Sequence, residues 1–341
     1  MRFLFTADWH LSGYLQDKIV KESNLPERLD SNVKVMWQMA DYARKNDRKY
    51  IIVGGDILHN KSIIYTDAQS VLLDFLRENK DLIFYILDGN HDLGGRGEHP
   101  NSALKSLDSE SNVIRIKEAT KIDNDQIFLV PYSSTMISDI KNNTCKYLLS
   151  HFGLHEAQLN SGISLVADIG IKDLKGKYKY VLLGHYHLPQ DLISEEIELR
   201  YVGSPTQKDW GEKNEIKRFL DVDSETDTIQ SILTIGYPKY VELELKKDNS
   251  EEIFEQAKLL QKDGHKVKIR KIESFDTKNE EMNFNIIDDV EKDITNRGIT
   301  SSMTIEDKCK RYMEIKEIRQ EDFQPYLNEG LDIIRMCDEK S

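Results

Sequence analysis

Six short apolar runs constrain this chain more than any other feature: RFLFTA (Arg2 to Ala7), YIIV (Tyr50 to Val53), LIFYIL (Leu82 to Leu87), IFLV (Ile127 to Val130), KYLL (Lys146 to Leu149) and YVLL (Tyr180 to Leu183). Their length and their β-branched and aromatic content predict buried strands rather than helices. Helical spacing falls between some of them: Val33, Met36, Trp37, Ala40 and Ala43 recur at three and four, as do Ala68, Leu72, Phe75 and Leu76. The first part therefore reads strand, helix, strand, helix, strand, an α/β layered domain.

Around residues 199 to 235 the strands lose their helical partners, and a meander completing a sheet is expected. After Pro238 the pattern changes. KYVELELK alternates, Glu252 to Gln261 is helical in spacing and HKVKIRKI alternates again, which predicts a β-α-β unit. From about Met282 the remainder reads as helical, with Ile305, Cys309, Tyr312 and Met313 on one stripe and a second helix over Tyr326 to Met336. The expected domains are 1–237, 238–280 and 281–341.

No apolar stretch approaches the roughly 20 residues of a membrane span, and the apolar start meets Asp8 too early for a signal peptide. Cys145, Cys309 and Cys337 are odd in number and scattered, which fits a reducing compartment, so the cytoplasm is expected. A net charge of −13 weighs against an anionic partner such as DNA. Bound cations or a local basic stripe can offset that weight.

The residues just past the strands are more informative than the strands themselves. The first strand ends in DWH (Asp8, His10), the second in GGDILH (Asp56, His59), the third in DGNHD (Asn90, His91, Asp92), and later ones in SH (His151) and GHYH (His185, His187). Six of the nine histidines thus fall at strand ends, where an open α/β sheet places its ligand site. Any one of these motifs could be turn chemistry. Together they are a set of oxygen and nitrogen donors without cysteine, suited to manganese, iron or zinc. They are too many for one tetrahedral ion, which points to two ions sharing a carboxylate. In VLLGHYH, an extended backbone would send His185 and His187 to one face.

In order and spacing, DWH, GDILH, GNHD, SH and GHYH, with YVGSP (Tyr201 to Pro205) after them, resemble the calcineurin-like metallophosphoesterases. Within that family they are most similar to the SbcD-type nuclease subunits of bacterial and phage DNA repair and recombination. The resemblance implies a four-layer sandwich of two mixed β-sheets flanked by helices, with a small α+β capping domain and C-terminal helices. It implies that Asp8, His10, Asp56 and His187 hold one divalent ion and that Asp56, Asn90, His151 and His185 hold the other. Manganese is the first expectation and magnesium the second. His91 matches the family's catalytic histidine that is not a ligand, and His59 a histidine near the substrate phosphate. Asp92 either orients His91 or a ligand, or caps a turn.

The implied activity is 3′ to 5′ exonuclease and endonuclease action on DNA. GDILHNKS carries His59 where the family's protein phosphatases carry an arginine. A nucleotide or small-molecule phosphodiesterase with the same centre is the alternative, and a metal-free scaffold subunit is a third reading. Two basic runs could meet DNA: Lys172, Lys175, Lys177 and Lys179, and Lys266, Lys268, Arg270 and Lys271. An ordinary solvated face is the plain explanation of either. The resemblance also implies that the final helices grip the coiled coil of an SbcC-type ABC ATPase, with the chain a homodimer inside a heterotetramer. No membrane partner is expected, and the compartment would be the host cytoplasm for a phage-encoded chain.

Overall fold

Side-chain alternation in the first strand sets the layering. In β1 (Arg2–Thr6), Leu4 packs with residues of α1 (Glu27–Lys45), such as Val35 and Met39, while Phe3 and Phe5 point into a second apolar layer. Successive residues of a strand face opposite ways, so a strand apolar throughout needs cover on both sides. The computed structural model describes residues 1–94, 100–158, 167, 169–272, 285–288 and 310–313.

The first sheet continues with β2 (Tyr50–Val53), α2 (Thr66–Glu78), β3 (Ile83–Leu87) and β4 (Val113–Ile116). The second contains β5 (Thr120–Ile122), β6 (Ile127–Val130), β7 (Tyr147–His151), β8 (Tyr180–Gly184), β9 (Gln190–Ile193) and β10 (Glu198–Tyr201), with helices α3 (Met136–Asn142) and α4 (Ile171–Leu174). Strands β11 (Arg218–Asp223) and β12 (Thr228–Leu233) return to the first sheet, whose order is β12-β11-β1-β2-β3-β4. The second runs β9-β10-β8-β7-β6-β5. Both are mixed. Parallel β1 to β4 are flanked by antiparallel β11, and parallel β6, β7, β8 and β10 by antiparallel β5 and β9.

Between the sheets lie Phe3, Phe5, Ile52, Leu129, Leu149, Leu182 and Val222, all fully buried. The outer face of the first sheet is covered by α1 and α2. That of the second is covered by residues including Met136, Ile140 and Leu174. The result is the expected sandwich of two mixed sheets flanked by helices. The expected single meander over 199–235 is not there: β10 belongs to the second sheet, and β11 and β12 to the first. Arg218, next to the crossing, ties the sheets together by donating to the Tyr201 carbonyl and pairing with Asp191.

The chain divides into two compact units, Met1–Tyr240 and Val241–Ser341. The second unit takes most of β13 (Tyr240–Leu245), with α5 (Ser250–Lys262), β14 (Lys266–Lys271) and β15 (Asn285–Asp288). Its core is Leu243, Leu245, Ile253, Ala257, Val267 and Ile269. Strand β15 corrects the expectation that everything after Met282 is helical. Its Ile286 and Ile287 stand parallel to Ile269 and Arg270 in a three-stranded sheet, where β-branched residues fit a pleated surface. Of the expected final helices, Lys310 to Met313 form a helical turn, and the rest lies outside the described residues. Among the described residues no helix is long and apolar enough to cross a membrane.

Candidate metal centre

The first two strands do not let go of each other where they end. Beyond them, Gly54 donates to Thr6, Asp8 to Gly55, His10 to Asp56 and Leu11 to Ile57, at 2.7 to 3.0 Å. To do this the chain takes left-handed φ at Asp8 (57°), His10 (48°) and Asp56 (54°). Such angles cost free energy on non-glycine residues and persist only where the surroundings fix them.

VLLGHYH behaves differently from its expected extension. The strand stops at Gly184, and His185 turns with φ at 95°, so a bend rather than strand alternation delivers the two imidazoles. Gly184 is needed for closeness: a Cβ there would lie 2.7 Å from Ala7 Cβ and 2.8 Å from both the Gly54 carbonyl and His151 Nδ1. The His185 amide donates to both carboxylate oxygens of Asp8, at 3.1 and 3.0 Å, joining the end of the second sheet to that of the first.

All seven expected ligands converge. On one side, His10 Nε2 lies 2.9 Å from His187 Nε2, 3.6 Å from Asp56 Oδ2 and 4.0 Å from Asp8 Oδ1. On the other, Asn90 Oδ1 faces His151 Nε2 at 3.1 Å and His185 Nδ1 at 3.2 Å, with Asp56 Oδ2 3.3 Å from His151 Nε2. Asp8, His10 and His187, and Asp8, Asp56 and His151, each gather donor atoms within 4.8 Å. Asp56 stands between the two groups, and its Oδ1 accepts from the His91 amide at 2.8 Å.

Protonation follows from burial and charge. Burial, with His187 nearby, holds His10 well below the usual imidazole range, and burial with His151 nearby brings His185 down to about 3. Both therefore offer lone pairs. Burial also acts to lower His151, but Asp56 and Asp8 outweigh it and push it up to about 9. Asp56 is held far below the usual carboxylate range against its burial, mostly by His151.

His59 and His91 sit beside this set. His91 Nδ1 donates to the His59 carbonyl at 2.6 Å, and its ring meets that of His10 edge-on at 4.8 Å. His59 is exposed, with Nδ1 3.3 Å from His10 Nδ1; partial desolvation of its ring and His91 nearby lower its pKa. Asp92 is fully buried, and among the described residues its carboxylate is taken up by backbone amides. It accepts from the amides of Leu58 and Gly89 at 2.9 Å and Ile57 at 3.3 Å, bracing the two loops that carry Asp56 and Asn90.

The lysines at 172–179 are not brought here. They precede β8, with Lys179 just before its start, away from His185, and paired with Asp227; Lys175 pairs with Glu196, and Lys177 donates to the Lys141 carbonyl. Lys266, Lys268, Arg270 and Lys271 lie on or at the end of β14 in the second unit, half-buried, with Val267 and Ile269 facing its core. Sequence reasoning missed several neighbours of the centre. Glu212 Oε1 lies 2.7 Å from His187 Nδ1, and Lys217 pairs with Glu212 at 2.8 Å. A cleft of about 470 Å³ opens beside His10, His59 and His187, bordered by Tyr14, Arg28 and Tyr65. Arg28 lies 4.3 Å over the Tyr14 ring and is held by Asp17. Nothing local in the sequence marks these residues as neighbours of the strand-end histidines.

A match to the family model of calcineurin-like phosphoesterases extends over residues 1–189. The chain belongs to the calcineurin-like phosphoesterases. It is a metal-dependent phosphoester hydrolase, and the donor set fits that metal dependence. Two imidazole lone pairs 2.9 Å apart, as at His10 and His187, repel unless a proton or cation lies between them. Among curated relatives, exonuclease subunit 1 of Enterobacteria phage T4 is 26% identical over 243 residues, covering 68% of this chain and 67% of that one. The SbcD component of the SbcCD nuclease of Staphylococcus epidermidis is 23% identical, covering 75% of each chain. The DNA double-strand break repair protein Mre11 of Archaeoglobus fulgidus is 24% identical, over 72% of this chain and 59% of that protein.

Proposed function

We propose that this phosphoesterase is a DNA nuclease, a 3′ to 5′ exonuclease and endonuclease of repair or recombination that works with two divalent ions, manganese first and magnesium as the alternative. The observation that carries this reading is the convergence of donors from five strand ends on the two sides of Asp56, with His91 beside them. Asp8, His10, Asp56 and His187 would hold one ion, and Asp56, Asn90, His151 and His185 the other. When bound, such a pair supplies an activated water and a clamp on the phosphate oxygens.

The protein's own part is proton traffic and placement. His91 donates from Nδ1 to the His59 carbonyl, which leaves Nε2 to exchange a proton with the leaving sugar oxygen. His59, beside His10, would meet the phosphate. Asp92 keeps the loops of Asp56 and Asn90 in register. The relatives' names, an exonuclease subunit, a nuclease component and a break-repair protein, favour DNA over small phosphodiesters. By the same likeness the chain acts in the cytoplasm as a homodimer within a heterotetramer with an SbcC-type ABC ATPase.

The test is hydrolysis of end-labelled linear DNA in manganese, with and without such an ATPase, by wild type and Asp56→Asn. Wild type should shorten the labelled strand and the variant should not. Rapid turnover of bis-p-nitrophenyl phosphate or nucleotides with intact DNA would replace the nuclease reading with a small-molecule phosphodiesterase.

A further inference from the structure

The YVGSP motif and the residues after it supply none of the seven ligands, yet they enclose one of them. The His187 carbonyl accepts from the Ser204 amide at 3.1 Å and from Lys217 Nζ at 2.9 Å. Gly203, at φ +77°, passes so close that a Cβ would lie 2.6 Å from that carbonyl oxygen. The ring is gripped as well. Its Nδ1 meets Glu212 Oε1 at 2.7 Å, and Glu212 Oε2 accepts from Lys217 Nζ at 2.8 Å, the Lys208 amide at 3.0 Å and Ser204 Oγ at 3.1 Å. Glu212 and Lys217 are both buried.

From this bracket we infer that Glu212 is a positioning residue for the metal centre, fixing His187 as the Nδ1–H tautomer with its Nε2 lone pair turned toward Asp8 and His10. A carboxylate accepts hydrogen bonds and does not donate them, so the nitrogen facing Glu212 must carry the proton. The other nitrogen is then the basic one, and a carboxylate behind an imidazole raises its basicity as a ligand. Lys217 holds both the backbone of His187 and the carboxylate behind its ring, so the segment Tyr201 to Lys217 sets the distance and the tautomer together. His151 has a weaker counterpart, with Nδ1 donating to the Gly54 carbonyl at 2.7 Å. A neutral carbonyl confers less basicity than a charged carboxylate. The ion at His187 should therefore depend on its outer partner more than the ion at His151 does. This inference rests on the two-ion reading of the site.

The experiment measures manganese binding by calorimetry and by electron paramagnetic resonance on wild type, Glu212→Gln and Glu212→Asp. Aspartate keeps the charge beside Lys217 but withdraws the carboxylate from Nδ1. Both variants should bind one ion about 10- to 100-fold more weakly and the other as wild type does. The spin-coupled two-manganese signal should give way to a six-line single-ion signal at one equivalent. Two unaltered affinities in either folded variant would overturn the positioning role. A wild type that binds fewer than two ions would instead overturn the two-ion reading. Long-range proton–nitrogen correlation on histidine-labelled, metal-free wild type needs no variant: a proton on Nδ1 of His187 is the expected result, and a proton on Nε2 alone refutes the assignment.

Discussion

His151 and His185 come from the ends of two neighbouring strands and aim ring nitrogens at one atom, Asn90 Oδ1, at 3.1 and 3.2 Å. His187, two residues from His185, faces His10 instead, at 2.9 Å. The bend at His185 thus sends the two histidines of one motif to opposite sides of Asp56. Alanine substitutions at the two positions should consequently fail in different ways. His185→Ala should weaken the ion assigned to Asn90 and His151, and His187→Ala the ion assigned to Asp8 and His10. Each loss should be about tenfold or more, the scale on which disturbing a metal-site histidine is felt. Manganese titration of each variant, with the spectrum of the remaining ion, checks this; loss of the same ion in both would refute the division.

His151 should make the metal-free protein lose stability as pH rises, against an opposite contribution from buried Lys208, whose pKa is brought down to about 7 by desolvation. His151 is fully buried against Asp56, and its folded-state pKa of about 9 exceeds the ordinary value of 6.5. A base whose pKa is raised by folding contributes stability that is complete below its unfolded pKa and lost as pH climbs through the folded one. The window is therefore about pH 6.5 to 9, and the change is on the order of a few kcal/mol. Urea unfolding in chelator across that range measures it, as the difference between wild type and His151→Gln. A metal competes with that proton, so manganese should hold tighter as pH rises through the same window.

Much of this site could be read from the residues because strand ends advertise themselves. Asp8, His10, Asp56, Asn90 and His151 each come within a few residues of an apolar run, and carboxylates and imidazoles are costly near a core unless something binds them. The two sheets and their flanking helices were legible for the same reason, since period and run length are local properties. Partner choice is not. Nothing in LRYVGSP and RFLDVD says that one joins the second sheet and the other crosses to the first. Ile286 and Ile287 read equally well as part of a helix until Lys268 to Lys271 lie alongside. Glu212 reaches His187 only because Trp210–Glu212 forms a helical turn after an irregular stretch, 25 residues downstream. The partners of the charge runs are hidden for the same reason: that Lys175 pairs with Glu196 and Lys179 with Asp227 is a matter of three-dimensional neighbours.

Asp92→Ala should be a stability mutation before it is an activity mutation. Its carboxylate takes three backbone amides, from Ile57, Leu58 and Gly89, in a fully buried position. Removing it leaves those donors without an acceptor, at about 1–3 kcal/mol each. A fall of about 3 kcal/mol or more in unfolding free energy is expected in chelator-treated protein. Metal affinity should drop with it, because the loops carrying Asp56 and Asn90 lose their common brace. An unfolding free energy within about 1 kcal/mol of wild type would show that water replaces the carboxylate.

His91→Ala should separate chemistry from metal binding. The ring packs edge-on against His10, but its Nδ1 is spent on the His59 carbonyl, and it faces none of the carboxylates at hydrogen-bonding distance among the described residues. Its loss should therefore leave both manganese affinities within about twofold of wild type, while DNA cleavage falls about 10²- to 10⁴-fold, the range for removing a general acid. The deficit should shrink for a substrate whose leaving group needs no proton. A p-nitrophenyl ester of thymidine phosphate supplies that comparison, because p-nitrophenolate departs unaided near neutral pH. Equal deficits on DNA and on the activated ester would mean that His91 acts on phosphate binding rather than on the leaving oxygen. In that case His59, the other imidazole beside His10, would be the remaining donor to test with the same pair of substrates.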